Sequence, residues 1–335
     1  QQLRYIMKDD NFVKTVIQNG GVLRPIVIPS NVTKGTGLFN PSIYYDEKND
    51  QLLLNLRHCQ YTFYHSEKKM FEHEFGPLLY LNPENDITLT TTNYLCYLNE
   101  DLSLQKFSKI DTSKFDVTPI WEFIGLEDVR LFRWDDKLYG CGVRRDTTPN
   151  GVGRMELSEI KTDFMGNASE ASRWRIPAPG EDDTYCEKNW MPILDQPYHY
   201  VKWSNPTEIV KVDPVKKTCI TTYTGKHDPT AGYYRGGSQV LNIDGYYVAL
   251  THTVRLFKSE AGKKDAIYRH AFVVWDKNWN VIKYTDEFSF MGADVEFSCG
   301  MAEYKGNILI SFGFQDNAAY VLSVPKQFLS DFING

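Results

Sequence analysis

The sequence predicts an all-β fold, a five-bladed β-propeller, and three observations lead there. The composition favours strands: 14% of the 335 residues are aromatic, with 21 Tyr and 19 Phe, and Thr, Val and Ile are plentiful. One hairpin grammar recurs five times along the chain. Each recurrence also opens on a polar or glycine-rich head, which a β-sandwich with extra hairpins would not require.

The five units begin near residues 37, 125, 187, 234 and 297. They read "GLFNPSIYYDEKNDQLLLNLR", "GLEDVRLFRWDDKLYGCGVRR", "EKNWMPILDQPYHYVKW", "YRGGSQVLNIDGYYVALTHTV" and "FSCGMAEYKGNILISFGFQD". In each, a short apolar run, a turn of Asp, Asn, Gly or Lys, and a second apolar run spell a hairpin. A second strand pair follows every hairpin, as in "NYLCYLNEDLSLQKF", "GRMELSEIKTDF", "TEIVKVDPVKKTCITTY" and "HAFVVWDKNWNVIKYT". The last unit ends more weakly, in "AAYVLSVPKQFLSDF". The N-terminal "VLRPIVIP" is expected to complete that blade, joining the chain ends and removing an exposed edge. Only "IMKDDNFVKTVIQNG" and "QFLSDFING" read as helices. No linker-like stretch divides the chain, so residues 1–335 are expected to form a single propeller domain.

The overall balance excludes several classes of function. A net charge of −6 argues against a basic nucleic-acid-binding face, so any anion site is local. No apolar run approaches the roughly 20 residues that span a bilayer. The six cysteines, at 59, 96, 141, 186, 219 and 299, form no CxxC pair and are expected as buried thiols. That points to a reducing, cytoplasmic location, although Asn31-Val-Thr and Asn167-Ala-Ser leave a secretory route open. The chain begins with Gln, carries no signal-peptide pattern, and reads as a trimmed chain or part of a longer one.

In a propeller the first strand of each blade lines the central channel, so the heads converge at one end of a funnel. They contribute Asn40; Glu127, Asp128 and Arg130; Lys188, Asn189 and Trp190; Arg235 and Ser238; and Asp294, Glu296 and Ser298. The second strands add Arg57, His58, Arg144, Arg145, Lys202 and His252. On a regular strand Asp128 and Arg130 point to one side and Glu127 and Val129 to the other. Asp128 is therefore the expected acid/base, with Glu127 as its supporting carboxylate. The bland alternative is a salt bridge between Asp128 and Arg130 that joins blades. Arg57, Arg130, Arg144, Arg145, Lys188 and Arg235 are cations suited to a phosphate or diphosphate. Asn40, Asn189, Ser238 and His252 complete the expected substrate contacts, and Trp190 and Tyr234 offer ring faces to a sugar or base. No histidine pattern suggests a metal, to which only Asp294 and Glu296 would contribute.

These heads, "GLEDVR" above all, resemble the five-bladed propellers of carbohydrate-active enzymes. The nearest likeness is to the mannoside phosphorylases of glycoside hydrolase family 130 and related mannosyltransferases. That family carries Glu-Asp-Pro-Arg at the second blade, its Asp serving as catalytic acid while Arg and Lys bind phosphate. The resemblance implies the acid role for Asp128 and phosphate or substrate contact for Arg130. Val129 stands where the family has Pro, and the third and fourth heads do not follow the phosphorylases. Those departures favour a relative that takes its sugar from a phosphorylated donor. The expected reactants are a nucleotide-sugar or sugar-phosphate donor and a glycan acceptor, with no cofactor assigned and a divalent ion and the oligomeric state left open. The competing readings are a phosphorylase of mannoside-type glycans, a hydrolase pairing Asp128 with Asp294 or Glu296, and a non-catalytic glycan-binding propeller.

Overall fold

The computed structural model describes residues 7–64, 78–81, 89–180, 183–258 and 264–335. Five antiparallel sheets follow one another along the chain as the blades of a propeller. Blade 1 runs Leu38–Asp46, Gln51–Cys59, Leu89–Leu98 and Leu104–Lys109. Blade 2 runs Glu127–Trp134, Lys137–Arg144, Arg154–Thr162 and Ala168–Arg175. Blade 3 opens on the two-residue strand Met191–Pro192, followed by His199–Ser204, Thr207–Asp213 and Thr218–Thr224. In blade 4, Leu241–Ile243 and Val281–Tyr284 flank two long strands, Tyr246–Lys258 and Lys264–Trp275.

Blade 5 takes three strands from the C-terminal part of the chain, Glu296–Tyr304, Asn307–Phe314 and Ala318–Pro325. Its fourth is Val22–Pro25, antiparallel to the third with Val22 opposite Ser323 and Pro25 opposite Tyr320. The expected closure is therefore present, and the weak ending of the last repeat is explained: "KQFLSDF" belongs to the helix Lys326–Asn334. The N-terminal helix is shorter than expected, Phe12–Gln18, with the Asn11 side chain accepting from the Lys14 N–H at 3.0 Å as its cap. Met7–Asp9, expected as helix, is instead a strand parallel to Glu287–Phe288, and Ile6 lies outside the described residues. Both helices pack on the blade 4–blade 5 seam. There Phe12, Val16, Leu329 and Phe332 join Phe272, Phe288, Phe290 and Phe312 in one core, each side chain contributing about 1.5–3 kcal/mol by burial.

Below the heads the channel is closed by hydrogen bonds. Gln239 of blade 4, fully buried, donates to Ile43 O at 2.9 Å and Leu131 O at 2.8 Å and accepts from Met301 N at 2.9 Å. One amide thus ties four blades together. Ser42 adds to the floor, donating to Cys299 O at 2.9 Å and accepting from Leu131 N at 3.1 Å. The result is a funnel with a rigid floor, its open side at the blade heads. All six cysteines are free, and five are buried. No helix among the described residues is long and apolar enough to cross a membrane.

Candidate functional site at the blade heads

Backbone geometry sets the site. Asn40, Asp128 and Asn189, at the heads of blades 1, 2 and 3, all have left-handed backbones, with φ of 47°, 52° and 62°. Asn and Asp are the non-glycine residues that tolerate this conformation best. In blades 1 and 2 the left-handed residue coincides with a break in strand register, between Phe39 and Ser42 and between Glu127 and Arg130. Such bulges bend the strand and re-aim its side chains. The simple alternation expected from the sequence is therefore broken: Glu127 and Asp128 both reach Arg57 instead of pointing apart.

Arg57 balances the two carboxylates at the head of blade 2. Its Nη1 donates to Asp128 Oδ1 at 2.8 Å, its Nη2 to Glu127 Oε1 at 3.1 Å, and its Nε to the Thr91 hydroxyl at 3.1 Å. The guanidinium also lies over the Phe39 ring, 4.7 Å from its centroid. Asn40 Nδ2 donates a further bond to Asp128 Oδ1 at 2.8 Å. Asp128 thus has one oxygen held twice, while Oδ2 accepts no hydrogen bond from the described residues. Its side chain keeps 22% exposure.

The two neighbouring carboxyls are pushed apart in acidity. Burial works to raise the Asp128 carboxyl, but Arg57, Arg130, the Asn40 bond and Lys188 outweigh it and hold it below the usual Asp value. Burial dominates at Glu127, reinforced by the charge of Asp128, and keeps its carboxyl above the usual Glu value against Arg57, Arg145 and Lys188. Asp128 stands ionised, and Glu127 is the proton-holding neighbour as the pH falls.

The expected cations divide into two groups. Arg130 is fully buried and acts as a staple: Nε donates to Gly237 O at 2.8 Å, Nη1 to Asp128 O at 2.8 Å and Nη2 to Asn189 Oδ1 at 3.2 Å. It meets the Asp128 backbone, not its carboxylate, so the Asp128–Arg130 salt bridge is absent and the guanidinium is committed to protein oxygens. Arg145 is spent on the Gly151 carbonyl, the Cys186 sulfur and Glu127, at 3.2, 3.1 and 3.7 Å. Lys188 and Arg235 have no carboxylate partner among the described residues. The Lys188 charge acts on Glu127, Asp128 and His252, and that of Arg235 on His252 and Tyr268.

Three expected site residues lie elsewhere. Arg144 is buried between blades 1 and 2, bonded to Glu156 at 2.6 Å and paired with Asp146 at 3.4 Å. Adjacent strand residues face opposite ways, and the funnel side belongs to Arg145. Trp190 is 1% exposed, packed with Tyr200 in the blade 2–blade 3 core, its indole N–H donating to Glu187 at 3.3 Å. Ser238 is fully buried, donating to Gln239 O at 2.8 Å and accepting from Leu250 N at 2.9 Å. Glu296, weighed as a second carboxylate, accepts from the Phe290 and Met291 N–H groups at 2.9 and 2.7 Å, and burial pushes it up to about 7. Lys202 pairs with Glu187 at 3.0 Å, and His58 bonds Thr36 at 2.7 Å.

His252 is 2% exposed, its Nδ1 without a partner among the described residues, and burial, helped by His270 and the surrounding cations, holds it well below the usual histidine value, hence neutral. The Tyr268 ring stacks against it at 5.9 Å. Tyr268 itself was not foreseen, nor was Asp316, which accepts from Tyr61 at 3.2 Å. Burial, then Asp316 and Asp128, push the Tyr268 hydroxyl up to about 12, so it remains a donor. Two signals pointed to them: blade 4 strands long enough to overshoot the funnel rim, and strand parity, which returns the "FQDN" turn to the head end. Among the described residues no cluster of His, Cys, Asp and Glu is arranged to hold a metal ion.

No protein-family sequence model matches the chain, and no curated protein matches it in sequence. Its fold matches solved structures along nearly the whole chain. A β-1,2-mannobiose phosphorylase of Listeria innocua superposes with a TM-score of 0.57 at 14% identity, covering 92% of this chain and 95% of that one. A GDP-Man-dependent mannosyltransferase of Leishmania mexicana gives 0.53 at 11% identity, covering 94% of each. A glycosyl hydrolase of Bacteroides ovatus gives 0.58 at 12% identity, covering 86% of this chain and 84% of that one. The chain therefore has the five-bladed β-propeller fold shared by the mannoside phosphorylases and hydrolases of glycoside hydrolase family 130 and by a GDP-Man-dependent mannosyltransferase.

Proposed function

We propose that the chain is a glycosyl-transferring enzyme that takes a sugar from a phosphorylated donor, a nucleotide-sugar or sugar 1-phosphate, and passes it to a glycan acceptor. One observation carries this reading: an ionised Asp128 with Oδ2 open feels the charge of Lys188, and Arg235 acts on the neighbouring Tyr268, both cations having no carboxylate partner among the described residues. The proton of the acceptor hydroxyl goes to Asp128 Oδ2 as the acceptor oxygen bonds to the anomeric carbon. The bond from that carbon to the phosphate oxygen breaks, and the leaving phosphate carries its electron pair away toward Lys188 and Arg235. Tyr268 and Asn40 border the same space as neutral hydrogen-bonding groups.

The fold neighbours, a β-1,2-mannobiose phosphorylase, a mannose phosphorylase and a GDP-Man-dependent mannosyltransferase, support a carbohydrate substrate and span both phosphorolysis and transfer from GDP-Man. Transfer is preferred here because an Asp held ionised suits a base better than the acid that a phosphorylase or hydrolase needs first. A hydrolase would also leave the two uncompensated cations without a task. The test is differential. Lys188→Ala and Arg235→Ala should each weaken donor binding about 10- to 100-fold, as expected for a lost bond to a charged group, while changing acceptor binding little. Equal losses for donor and acceptor would remove the two cations from the leaving-group site.

A further inference from the structure

A large groove lies beside the funnel, on the flank between blades 3 and 4, with a volume of about 1330 Å³. It exceeds the roughly 300–1,000 Å³ of a small-molecule pocket, so a compact ligand would not fill it. Tyr223, Tyr233, Tyr234, Trp279, Tyr284 and Glu287 line it. Tyr233 is 61% exposed, whereas Tyr234 and Tyr284 are stacked on each other at 4.9 Å. The walls are fastened: Tyr284 donates to Ser204 O at 2.9 Å, and Asn205 and Asp228 exchange two bonds of 2.8 Å.

The groove and the funnel share one wall. Arg235 and His252 pair through both backbone bonds, at 2.8 and 3.0 Å, and both border the funnel. Their chain neighbours Tyr234 and Thr253 line the groove. The charged lining is mixed, Lys226 and Lys283 against Asp228, Asp286 and Glu287, so neither a polyanion nor a polycation is favoured. Glu287 supplies an independent sign of a ligand. It is 8% exposed, and its Oε2 is buried with no hydrogen-bond partner among the described residues, an arrangement that is costly until a donor arrives. Burial raises its carboxyl above the usual Glu value, against a Thr253 hydroxyl and the charges of Arg269 and Arg255.

We propose that this groove binds the acceptor: a neutral oligosaccharide chain several sugars long, its rings laid against Tyr233 and its neighbours and a hydroxyl donated to Glu287 Oε2, with the end of the chain entering the funnel past Arg235. The assignment rests on the glycosyl-transfer reading and adds to it the size and polarity of the acceptor. Flat apolar sugar faces suit exposed aromatic rings, and hydroxyl groups suit a carboxylate oxygen left without a donor.

The test uses the full chain carrying Asp128→Asn, so that binding is read without turnover. Fluorescently labelled ladders of β-1,2-mannooligosaccharides and glucooligosaccharides, from disaccharide to hexasaccharide, serve as probes, with polarisation as readout. Affinity for one ladder should rise about tenfold or more with length. Tyr233→Ala and Glu287→Gln should each abolish that rise, and Glu287→Gln, which does not touch Arg235, should leave disaccharide binding and the thermal shift by a nucleotide-sugar unchanged. Affinity independent of length, no binding to either ladder, or a length dependence retained in both variants would overturn the groove assignment. Failure of the glycosyl-transfer reading shows separately, as absence of any thermal shift with nucleotide-sugars, sugar 1-phosphates or phosphate.

Discussion

Asp128 keeps one carboxylate oxygen for structure and the other for chemistry. Arg57 and Asn40 both occupy Oδ1, at 2.8 Å each, and hold the group in a single orientation with its charge in place. Because Arg57 works to lower the Asp128 pKa, removing its charge must raise that pKa. In Arg57→Gln the acid limb of the kcat/KM profile should therefore move to higher pH, with the alkaline side unchanged; an unmoved limb would separate Asp128 from the titration that limits activity. Much of this was legible in "GLEDVR" and "NLRH", where residue types alone mark a charged site at a strand head. Which cations remain uncommitted was not legible. Arg130 and Arg145 look as available in sequence as Arg235, but carbonyls and Cys186 from neighbouring loops claim them. Trp190 read as a stacking platform because a head position was equated with exposure; the blade 2–blade 3 core absorbs it instead.

At the scale of the element, the hairpins follow the written pattern of apolar run, turn and apolar run, since burying one face of each strand and closing tight turns are local demands. The heads depart from that pattern. A left-handed Asn or Asp and a bulge at the inner-strand start turn adjacent residues to the same target, which a two-residue period cannot foresee. Close approach between heads also constrains glycine. A Cβ on Gly236 would collide with the Asn189 carbonyl, pressing blade 4 against the residue that Arg130 grips. Gly236→Ala should thus cost several kcal/mol, as overpacked sites do when the obstacle is backbone. Thermal unfolding would read the loss, and a melting point within a degree or so of the parent would show that the heads can separate freely.

The whole molecule is held shut by a strand from the far end of the sequence. Val22–Pro25 completes blade 5, and the helix Phe12–Gln18 fills the adjoining seam with Phe12 and Val16. Removing residues 1–25 should leave an open strand edge and an exposed apolar seam. Its readouts are a markedly lower melting point and concentration-dependent self-association in size-exclusion chromatography; a monodisperse truncation of unchanged stability would contradict the closure. Closure was readable in "VLRPIVIP" because a fifth blade short of one strand requires a donor. The strand pair Tyr61–Tyr64 and Leu78–Leu81, which brings Tyr61 to Asp316, was not, since it has no counterpart in the other repeats. The central claim, transfer of a sugar from a phosphorylated donor by Asp128, is tested most directly by one assay. Purified chain is incubated with a panel of nucleotide-sugars and sugar 1-phosphates plus mannooligosaccharide acceptors, and extended glycan and released nucleotide or phosphate are quantified for the parent and for Asp128→Asn. The account predicts equimolar extension and release with one donor, reduced about 10²- to 10⁴-fold in the folded variant. Undiminished transfer by Asp128→Asn, or release of free sugar without phosphate from glycans alone, would contradict it.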